Sequence, residues 1–250
     1  MKLSDELCRI LQETRTVCVL TGAGISAESG VPTFRGAEGL WKKFRPEELA
    51  NFDAFIRNPQ LVWEWYNYRR QLIETVTPNQ GHIALARIEQ GVDDFTLITQ
   101  NVDNLHRRAG SKHVLELHGN IMQSYCIECG AKDDHPDFSG ENKVPRCKTC
   151  GGLVRPDVVW FGEMLPQHVF EEAERAAQRC SLFICVGTSA IVYPAASLPM
   201  AAKQAGAYTI EVNIERTEQS RIFDETILGK AGDILPSIAD SIQLIKGVKA

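Results

Sequence analysis

The chain has 250 residues, of which 44% are hydrophobic and 24% charged, and its formal net charge is -5. A globular chain of this length buries about three-quarters of its unfolded surface, so the composition allows a sizeable core. The negative charge argues against a nucleic-acid binder held by bulk positive charge. Length alone allows one large domain or two unequal ones.

The N-terminal segment carries no sign of a targeting signal. Residues 1–6 include no apolar stretch of the kind found in secretory signal peptides. Elsewhere the apolar runs break before the ~18 residues that suggest a membrane span. We therefore expect a cytoplasmic protein with no membrane partner.

Apolar residues at helical spacing predict an amphipathic helix over residues 3–11. The apolar run 17–20 follows, and it predicts a strand that ends in a glycine-rich turn. Helical patterns at 81–90 and 194–204 lie between further apolar runs. Those runs predict four more strands, at 95–98, 114–117, 182–186 and 208–212. Strands that alternate with helices are typical of a parallel sheet covered on both faces, so we predict an α/β, Rossmann-type fold.

Two stretches interrupt this alternation and predict a second, smaller domain. Residues 36–79 are helical and aromatic, whereas residues 122–154 are polar and contain cysteines. We predict that they form a helical module and a zinc-binding module. The Rossmann-type domain would then consist of residues 1–35, 80–121 and 155–250.

The glycine-rich turn has the pattern G-x-G-x-x-[G/A] over residues 22–27. Glycines let a backbone approach a pyrophosphate, and a helix that follows can offer N–H groups to its oxygens. The pattern alone is weak, because a strand–helix turn can need glycines for geometry only. A dehydrogenase would also show a strand ending in Asp or Glu about 20 residues later, and residues 41–46 do not have that pattern. The turn predicts a dinucleotide site unlike that of an ordinary dehydrogenase. Asn213, at the end of a later predicted strand, is the candidate for the residue that contacts the ribose.

Four of the eight cysteines form two CxxC pairs, Cys126 with Cys129 and Cys147 with Cys150. The spacer between the pairs has the length expected of a zinc ribbon. Four thiolate ligands leave no open position for water, so the pattern predicts one structural zinc ion. Redox-active disulfides are the alternative, which two paired CxxC units disfavour. We interpret the other four cysteines, which stand singly in apolar segments, as buried thiols.

A zinc ribbon is also typical of nucleic-acid-binding or protein-binding modules, which are a different class of function. The acidic segment 133–137 lies between the two CxxC pairs and argues against contact with phosphates. We therefore expect no direct nucleic-acid binding.

A set of short motifs resembles the sirtuin family, in the order in which that family carries them. They are GAGISAESGVPTFR at 22–35, TQNVD at 99–103, LHG at 117–119, the two CxxC pairs, PDVVWFGE at 156–163, GTS at 187–189 and VN at 212–213. The resemblance implies an enzyme that consumes NAD and removes acyl groups from lysine side chains of peptides or proteins. Nicotinamide and O-acyl-ADP-ribose would be released, and both substrates would bind in a cleft between the two domains. An NAD-dependent ADP-ribosyl transferase on the same fold stays open as an alternative.

The resemblance assigns His118 as the general base, and a neutral histidine can accept a proton near pH 7. It places Asn101 and Asp103 in the nicotinamide pocket; either could also cap the helix that follows, and the two roles can coexist. The other residues that it implies for NAD binding are Gly22, Ala23, Gly24, Ser26, Ala27, Thr33, Phe34, Arg35, Trp41, Gln100, Val102, Gly187, Thr188, Ser189, Asn213, Ile214, Glu215 and Ala231. The remaining five histidines belong to no motif, and we interpret them as surface or core residues.

For the peptide substrate, the resemblance implies two extended edges, at residues 159–163 and 190–193. A buried core strand is the alternative for residues 158–161. The peptide-binding residues implied are Val159, Trp160, Phe161, Gly162, Glu163, Val192 and Tyr193.

Tyr66 and Arg69 are three residues apart in a predicted helix, so both can project from one face. They resemble the Tyr-x-x-Arg of class III sirtuins, which implies binding of malonyl- and succinyl-lysine. The alternative is an aromatic core stripe with Arg69 exposed. The chain departs from class III members near Pro46, where those members tend to have a small alanine on the pocket wall.

Overall fold

A computed structural model describes residues 3–33, 46–133, 135–139 and 144–246 of the chain. The predictions for Phe34, Arg35 and Trp41, and the one that concerns the Pro46 side chain, lie outside the described part.

The described strands form two sheets. In chain order they are β1 (Thr16–Thr21), β2 (Asp94–Thr99), β3 (Val114–Glu116), β4 (Gly119–Cys126), β5 (Val154–Val158), β6 (Leu182–Val186), β7 (Tyr208–Asn213) and β8 (Glu225–Leu228). Six of them make a parallel sheet in the order β3-β2-β1-β6-β7-β8, whereas β4 and β5 form an antiparallel pair. Counted within the larger sheet, this is the 3-2-1-4-5-6 order of dinucleotide-binding folds. The predicted α/β, Rossmann-type fold is confirmed.

Helices connect these strands along the chain. They are α1 (Asp5–Glu13), α2 (Ala23–Ala27), α3 (Pro46–Leu49), α4 (Phe52–Arg57), α5 (Pro59–Thr75), α6 (Gln80–Gly91), α7 (Leu105–Arg108), α8 (Gln167–Arg179), α9 (Leu198–Gln204) and α10 (Ala231–Lys246), with short 3₁₀ turns at Ala195–Ser197 and Glu218–Ile222. The predicted N-terminal helix is confirmed as α1, and the Ser4 hydroxyl caps it by accepting from the Leu7 amide at 3.0 Å. In the described part of the chain, none of these helices has the length and apolarity needed to cross a membrane.

Both faces of the parallel sheet are covered, which explains why its strands are apolar at successive positions. Val19 of β1 packs in a core that includes Leu7 of α1, Leu85 of α6 and Ile238 of α10. The next residue, Leu20, points the other way, into a core made with α8 and α9. The result is a three-layer arrangement in which the carboxyl ends of the strands remain free to carry a site.

A third core joins the two excursions from the sheet. Trp63 and Tyr66 of α5 pack with Val154 of β5 and with Cys126 at the end of β4. The Trp63 indole donates to the Val154 carbonyl at 2.8 Å, and the Arg70 guanidinium donates to the carbonyl of Ile121 at 2.6 Å. These contacts support one smaller unit built from both excursions.

The sheet of this smaller unit crosses two of the predicted boundaries. β4 begins at Gly119 and pairs from there with Val158 of β5, so pairing starts before residue 122 and continues past residue 154. The pairing has a register shift between Asn120 and Ser124, and no change in composition marks where this strand pair begins or ends.

Candidate active site

A cavity of about 860 Å³ lies beside the carboxyl ends of β1, β2, β6 and β7, and α5 and residues 158–163 form its other wall. This volume is within the range of small-molecule and cofactor sites. Every described residue of the predicted NAD and substrate sets lines the cavity, with the exception of Ser26 and Asp103. Both of these side chains are buried behind its wall.

The two glycines of the first turn pack against the end of β6. The Gly22 amide donates to the Val186 carbonyl at 3.0 Å, and the Gly24 amide donates to the Gly187 carbonyl at 2.8 Å. A Cβ atom on Gly24 would lie 2.7 Å from the Gly187 Cα, and one on Gly22 would lie 2.6 Å from the Thr188 Cβ. The sequence suggested that these glycines admit a pyrophosphate. The structure shows that they admit a neighbouring backbone, and that both amides bond within the protein.

Asn101 ties the end of β2 to that turn. Its side-chain amide donates to the Gly22 carbonyl at 3.0 Å and to the Ser26 hydroxyl at 3.2 Å, while its backbone amide donates to the Thr99 hydroxyl at 3.0 Å. The side chain is therefore held in one orientation where it meets the cavity. Such fixed polar groups can orient a ligand without reorganisation.

Asp103 bonds to the start of the helix that follows it, although the N-cap position itself is Asn104. Its carboxylate accepts from the Leu105 amide at 3.0 Å, at the start of α7. Burial raises the pKa of Asp103, whereas a hydrogen bond from Ser26 and the charge of Arg69 act in the opposite direction. Asp103 therefore supports the cavity wall from behind and does not line the cavity itself.

Two histidines that belong to no sequence motif lie behind the same wall. The His82 Nε2 is 3.4 Å from the Ser26 hydroxyl, the His106 Nε2 is 2.9 Å from the Thr21 hydroxyl, and the two rings are 4.8 Å apart. Burial lowers the pKa of both, for His82 to about 4, so both are neutral at pH 7. Sequence reasoning missed this cluster, because its members come from separate elements and share no pattern.

His118 stands at the turn into β4 and lines the cavity. Its Nδ1 is 2.9 Å from the backbone oxygen of Gln100. A carbonyl oxygen can only accept, so Nδ1 carries the hydrogen and Nε2 keeps its lone pair. Burial lowers the pKa of His118, and the bond to Gln100 partly offsets that effect. The ring is a neutral base with a fixed tautomer.

The opposite end of the cavity is organised around Thr188. Its hydroxyl accepts from the Gln100 side chain at 3.0 Å, and its carbonyl accepts from the Asn213 side chain at 3.2 Å. Glu28, which sequence analysis did not select, also lines the cavity and accepts from the Gly232 amide at 3.1 Å, at the start of α10. The ends of β2, β6 and β7 thus form one polar surface.

Tyr66 and Arg69 line the part of the cavity next to the smaller core. Both are buried, so the alternative of an exposed Arg69 is wrong. The Arg69 guanidinium lies 4.7 Å from the Trp65 ring centroid and 5.7 Å from that of Tyr66. Burial lowers the pKa of Arg69 and raises the pKa of Tyr66, so the tyrosine keeps its proton at neutral pH.

The two expected extended edges are not present in this structure. Residues 161–162 form a turn, closed by the Glu163 amide donating to the Trp160 carbonyl at 3.0 Å, and Gly162 has φ +87°. In the second segment Ala190 has φ 49°, outside the extended region. The physical reason for the first turn is a bond that the sequence does not reveal, from the Phe161 amide to the Ala50 carbonyl of the helical module at 3.0 Å.

The sulfur atoms of the four paired cysteines lie within 4.8 Å of one another. Cys126 and Cys150 have Sγ atoms 3.4 Å apart, and those of Cys129 and Cys147 are 3.6 Å apart. Four thiolates at about 2.3 Å from a tetrahedral zinc ion would be about 3.8 Å apart, so the cluster fits that ion. The cysteines lie away from the cavity wall, consistent with a structural metal rather than a catalytic one.

The Sir2 family profile matches residues 22–194 of the chain. An NAD-dependent protein deacylase from Aquifex aeolicus is 52% identical over 95% of this chain and 99% of its own length. NAD-dependent protein deacylase 2 from Pyrobaculum aerophilum is 48% identical over 94% of each chain.

Solved structures agree with these relatives. A Sir2 homolog in complex with NAD has a TM-score of 0.90 at 43% identity, over 97% of this chain and 95% of its own. A Sir2 structure with a p53 peptide and NAD+ has a TM-score of 0.83 at 34% identity, over 99% of this chain and all of its own. The similarity therefore extends over nearly the whole fold.

Proposed function

This chain belongs to the Sir2, or sirtuin, family, and we propose that it is an NAD-dependent protein-lysine deacylase whose pocket favours acyl groups that end in a carboxylate. The deacylase activity is the one named for its curated relatives. The observation that carries the proposal is a half-buried neutral histidine, His118, with a fixed tautomer, in the same cavity as the polar strand ends.

NAD would lie along those strand ends. Asn101 would hold the nicotinamide half, since its amide is fixed by Gly22 and Ser26, and Thr188 and Asn213 would hold the adenosine half. NAD, when bound, supplies the ADP-ribose unit that receives the acyl group. His118 would accept a proton at Nε2 from a ribose hydroxyl, which makes that oxygen a better nucleophile. Val102 and Trp160, which are both buried, add apolar surface to the cavity wall.

The smaller unit would position the substrate wall. The four cysteines can hold one structural zinc ion, which would stabilise the end of β4 and the start of β5. His118 precedes β4 and Val159 follows β5 at the same end of that sheet, opposite the cysteines, and the Val159 amide donates to the His118 carbonyl at 2.9 Å. Loss of the metal would therefore disturb the site without any direct metal chemistry.

The preference for acidic acyl groups rests on Tyr66 and Arg69. A carboxylate that enters a buried pocket loses its water and needs donors in return. The guanidinium of Arg69 can offer two parallel N–H groups, and the Tyr66 hydroxyl one more. Both are buried in the cavity wall, on one face of α5. Malonyl- and succinyl-lysine would offer a carboxylate to these donors, whereas acetyl-lysine has none to offer.

One assay tests both levels of the proposal. The zinc-loaded protein is incubated with NAD and one peptide sequence that carries acetyl-, malonyl-, succinyl- or butyryl-lysine, and products are followed by mass spectrometry. Free lysine with O-acyl-ADP-ribose establishes deacylation, whereas ADP-ribose attached to protein or peptide would indicate the transferase alternative. Equal kcat/KM on all four acyl groups would remove the proposed preference and leave the deacylase activity intact. Cytoplasmic location and the absence of nucleic-acid binding stay predictions.

A further inference from the structure

The Trp160 indole N–H donates to the Tyr66 hydroxyl oxygen at 2.8 Å. Both side chains are buried, at 2% and 1% exposure, and both line the cavity. An indole N–H can only donate, whereas a tyrosine hydroxyl has one hydrogen to donate and lone pairs that accept. The direction of this bond is therefore unambiguous: Tyr66 accepts from Trp160, and its own O–H hydrogen is left to donate elsewhere.

Trp160 is itself held from two sides. Its backbone amide donates to the Glu163 carboxylate at 2.8 Å. The Arg155 guanidinium lies 3.5 Å from the centroid of its ring, within the range of a cation–π contact, and pairs with the same carboxylate. Arg155 is buried, so this ion pair is poorly screened by solvent. The indole has little freedom to leave Tyr66.

We propose that Trp160 is a positioning residue for acyl selectivity. By donating to the Tyr66 oxygen it makes the hydroxyl present its hydrogen to the cavity, beside Arg69, where a carboxylate at the end of an acyl chain would bind. The inference rests on the preference for acidic acyl groups proposed above. Without the indole N–H, the Tyr66 oxygen would lose its donor and the hydroxyl could rotate. In some rotamers a lone pair of that oxygen, and not its hydrogen, would face the carboxylate of the acyl chain.

The test is a double-mutant cycle in the full-length, zinc-loaded protein. Trp160→Phe removes the indole N–H and keeps an aromatic ring, and Tyr66→Phe removes the hydroxyl. Each single variant and the double variant are assayed with NAD and with succinyl- and butyryl-lysine peptides, and kcat and KM are measured separately. Trp63→Phe is the matched control, because it loses a buried indole bond of the same 2.8 Å length, to Val154, in the same core and away from the cavity.

We expect Trp160→Phe to lower kcat/KM for succinyl-lysine by about three- to tenfold more than for butyryl-lysine, mainly through KM, which is the size of effect that one hydrogen bond produces. In the Tyr66→Phe background the same change should add no further selective loss, because the group that it orients is gone. Trp63→Phe should leave the ratio between the two substrates unchanged even where it lowers stability.

The following outcomes would overturn the inference. Equal losses on both substrates, or a selective loss that persists without the Tyr66 hydroxyl, would show that Trp160 only shapes the pocket and would overturn the inference. If the wild type does not prefer succinyl-lysine, the proposed preference fails and the inference fails with it. If Trp160→Phe does not fold, Trp160→His supplies a ring N–H at another position and should restore less of the succinyl preference than wild type has; full preference in that variant would also overturn the inference.

Discussion

His118 and Gln100 are joined by a hydrogen bond of 2.9 Å between the imidazole Nδ1 and the backbone oxygen. The bond decides which nitrogen of the ring faces the reaction, since a carbonyl oxygen leaves Nδ1 no role but donor. Gln100 follows β2 and His118 stands at the turn before β4. The orientation of the proposed base therefore depends on the relative position of these two segments.

Replacement of this base should stop the chemistry and spare cofactor binding. His118→Ala is expected to lower kcat by roughly 10²–10⁴-fold, the usual range for loss of a general base. Binding of NAD, measured by calorimetry, should change little, because Thr188 and Asn213 at the other end of the cavity remain in place. Near-normal turnover in this variant would show that another group takes the proton.

The pH dependence of wild-type activity should also report the proton-accepting role of His118. Because burial lowers the pKa of His118, the ring stays neutral at pH values where a free histidine is already protonated. The apparent pKa of the acid limb in the kcat/KM profile should therefore lie below about 6.5, the ordinary pKa of histidine. An acid limb above that value would contradict the burial of the ring.

Arg69 should decide the acyl preference. Arg69→Met keeps the length of the side chain and removes the charge, so kcat/KM for succinyl-lysine should drop by about 10- to 100-fold, as expected for a hydrogen bond to a charged group. Turnover of acetyl-lysine should fall much less. Lys148→Met removes a charge at an exposed position in the cysteine-bearing segment and serves as a control. It should leave kcat/KM unchanged for both substrates. If Arg69→Met weakens all acyl substrates alike, the arginine is structural.

The cysteine cluster should carry one zinc ion per chain. Cys147→Ala is expected to lose it, because three ligands hold a structural zinc weakly. The melting temperature should fall, and the loss should concentrate in β4, β5 and the segment between them, which hydrogen exchange can resolve. Cys180→Ala, a buried cysteine outside the cluster, should keep its metal. A metal-free protein with full activity and unchanged melting temperature would rule out the site.

Stability should fall on the acid side of neutrality because of the buried histidines. The pKa of His82 is about 4 in the folded chain, against about 6.5 when unfolded, so the unfolded state binds more protons between these values. The stabilising contribution is complete above pH 6.5 and is lost as pH falls through this window, by up to about 3 kcal/mol for a shift of this size.

The matched experiment compares wild type with His82→Gln, which does not titrate. Melting temperatures between pH 7.5 and pH 4.5 should fall less steeply in the variant, although not become flat, because His106 also has a lowered pKa. Parallel curves for the two proteins would show that His82 can be protonated in the folded state without cost.

Features that depend on neighbours in the chain could be predicted from the sequence. Apolar runs such as Val17 to Leu20 predict buried parallel strands, because each residue of such a strand meets one covered face or the other. The CxxC pairs predict the sulfur cluster, because two residues between ligands already bring two thiolates to one metal. Residues of the glycine turn, the GTS motif and Asn213 reach the cavity because they lie at or just after the carboxyl ends of β1, β6 and β7, which face the site.

Other features depended on which distant segments meet, and only the tertiary structure decided them. The contact of Ser26 with His82, the bond from Trp160 to Tyr66 and the turn that Ala50 imposes on residues 161–162 each join elements far apart in the chain. The close packing of Gly24 on Gly187 is also a contact between distant segments. It explains the glycines of the first turn by the approach of a neighbouring backbone, where the sequence had suggested the approach of a pyrophosphate. Periodicity and spacing report the face on which a side chain lies, but the partner that it finds there is set by the packing of whole helices and sheets against one another.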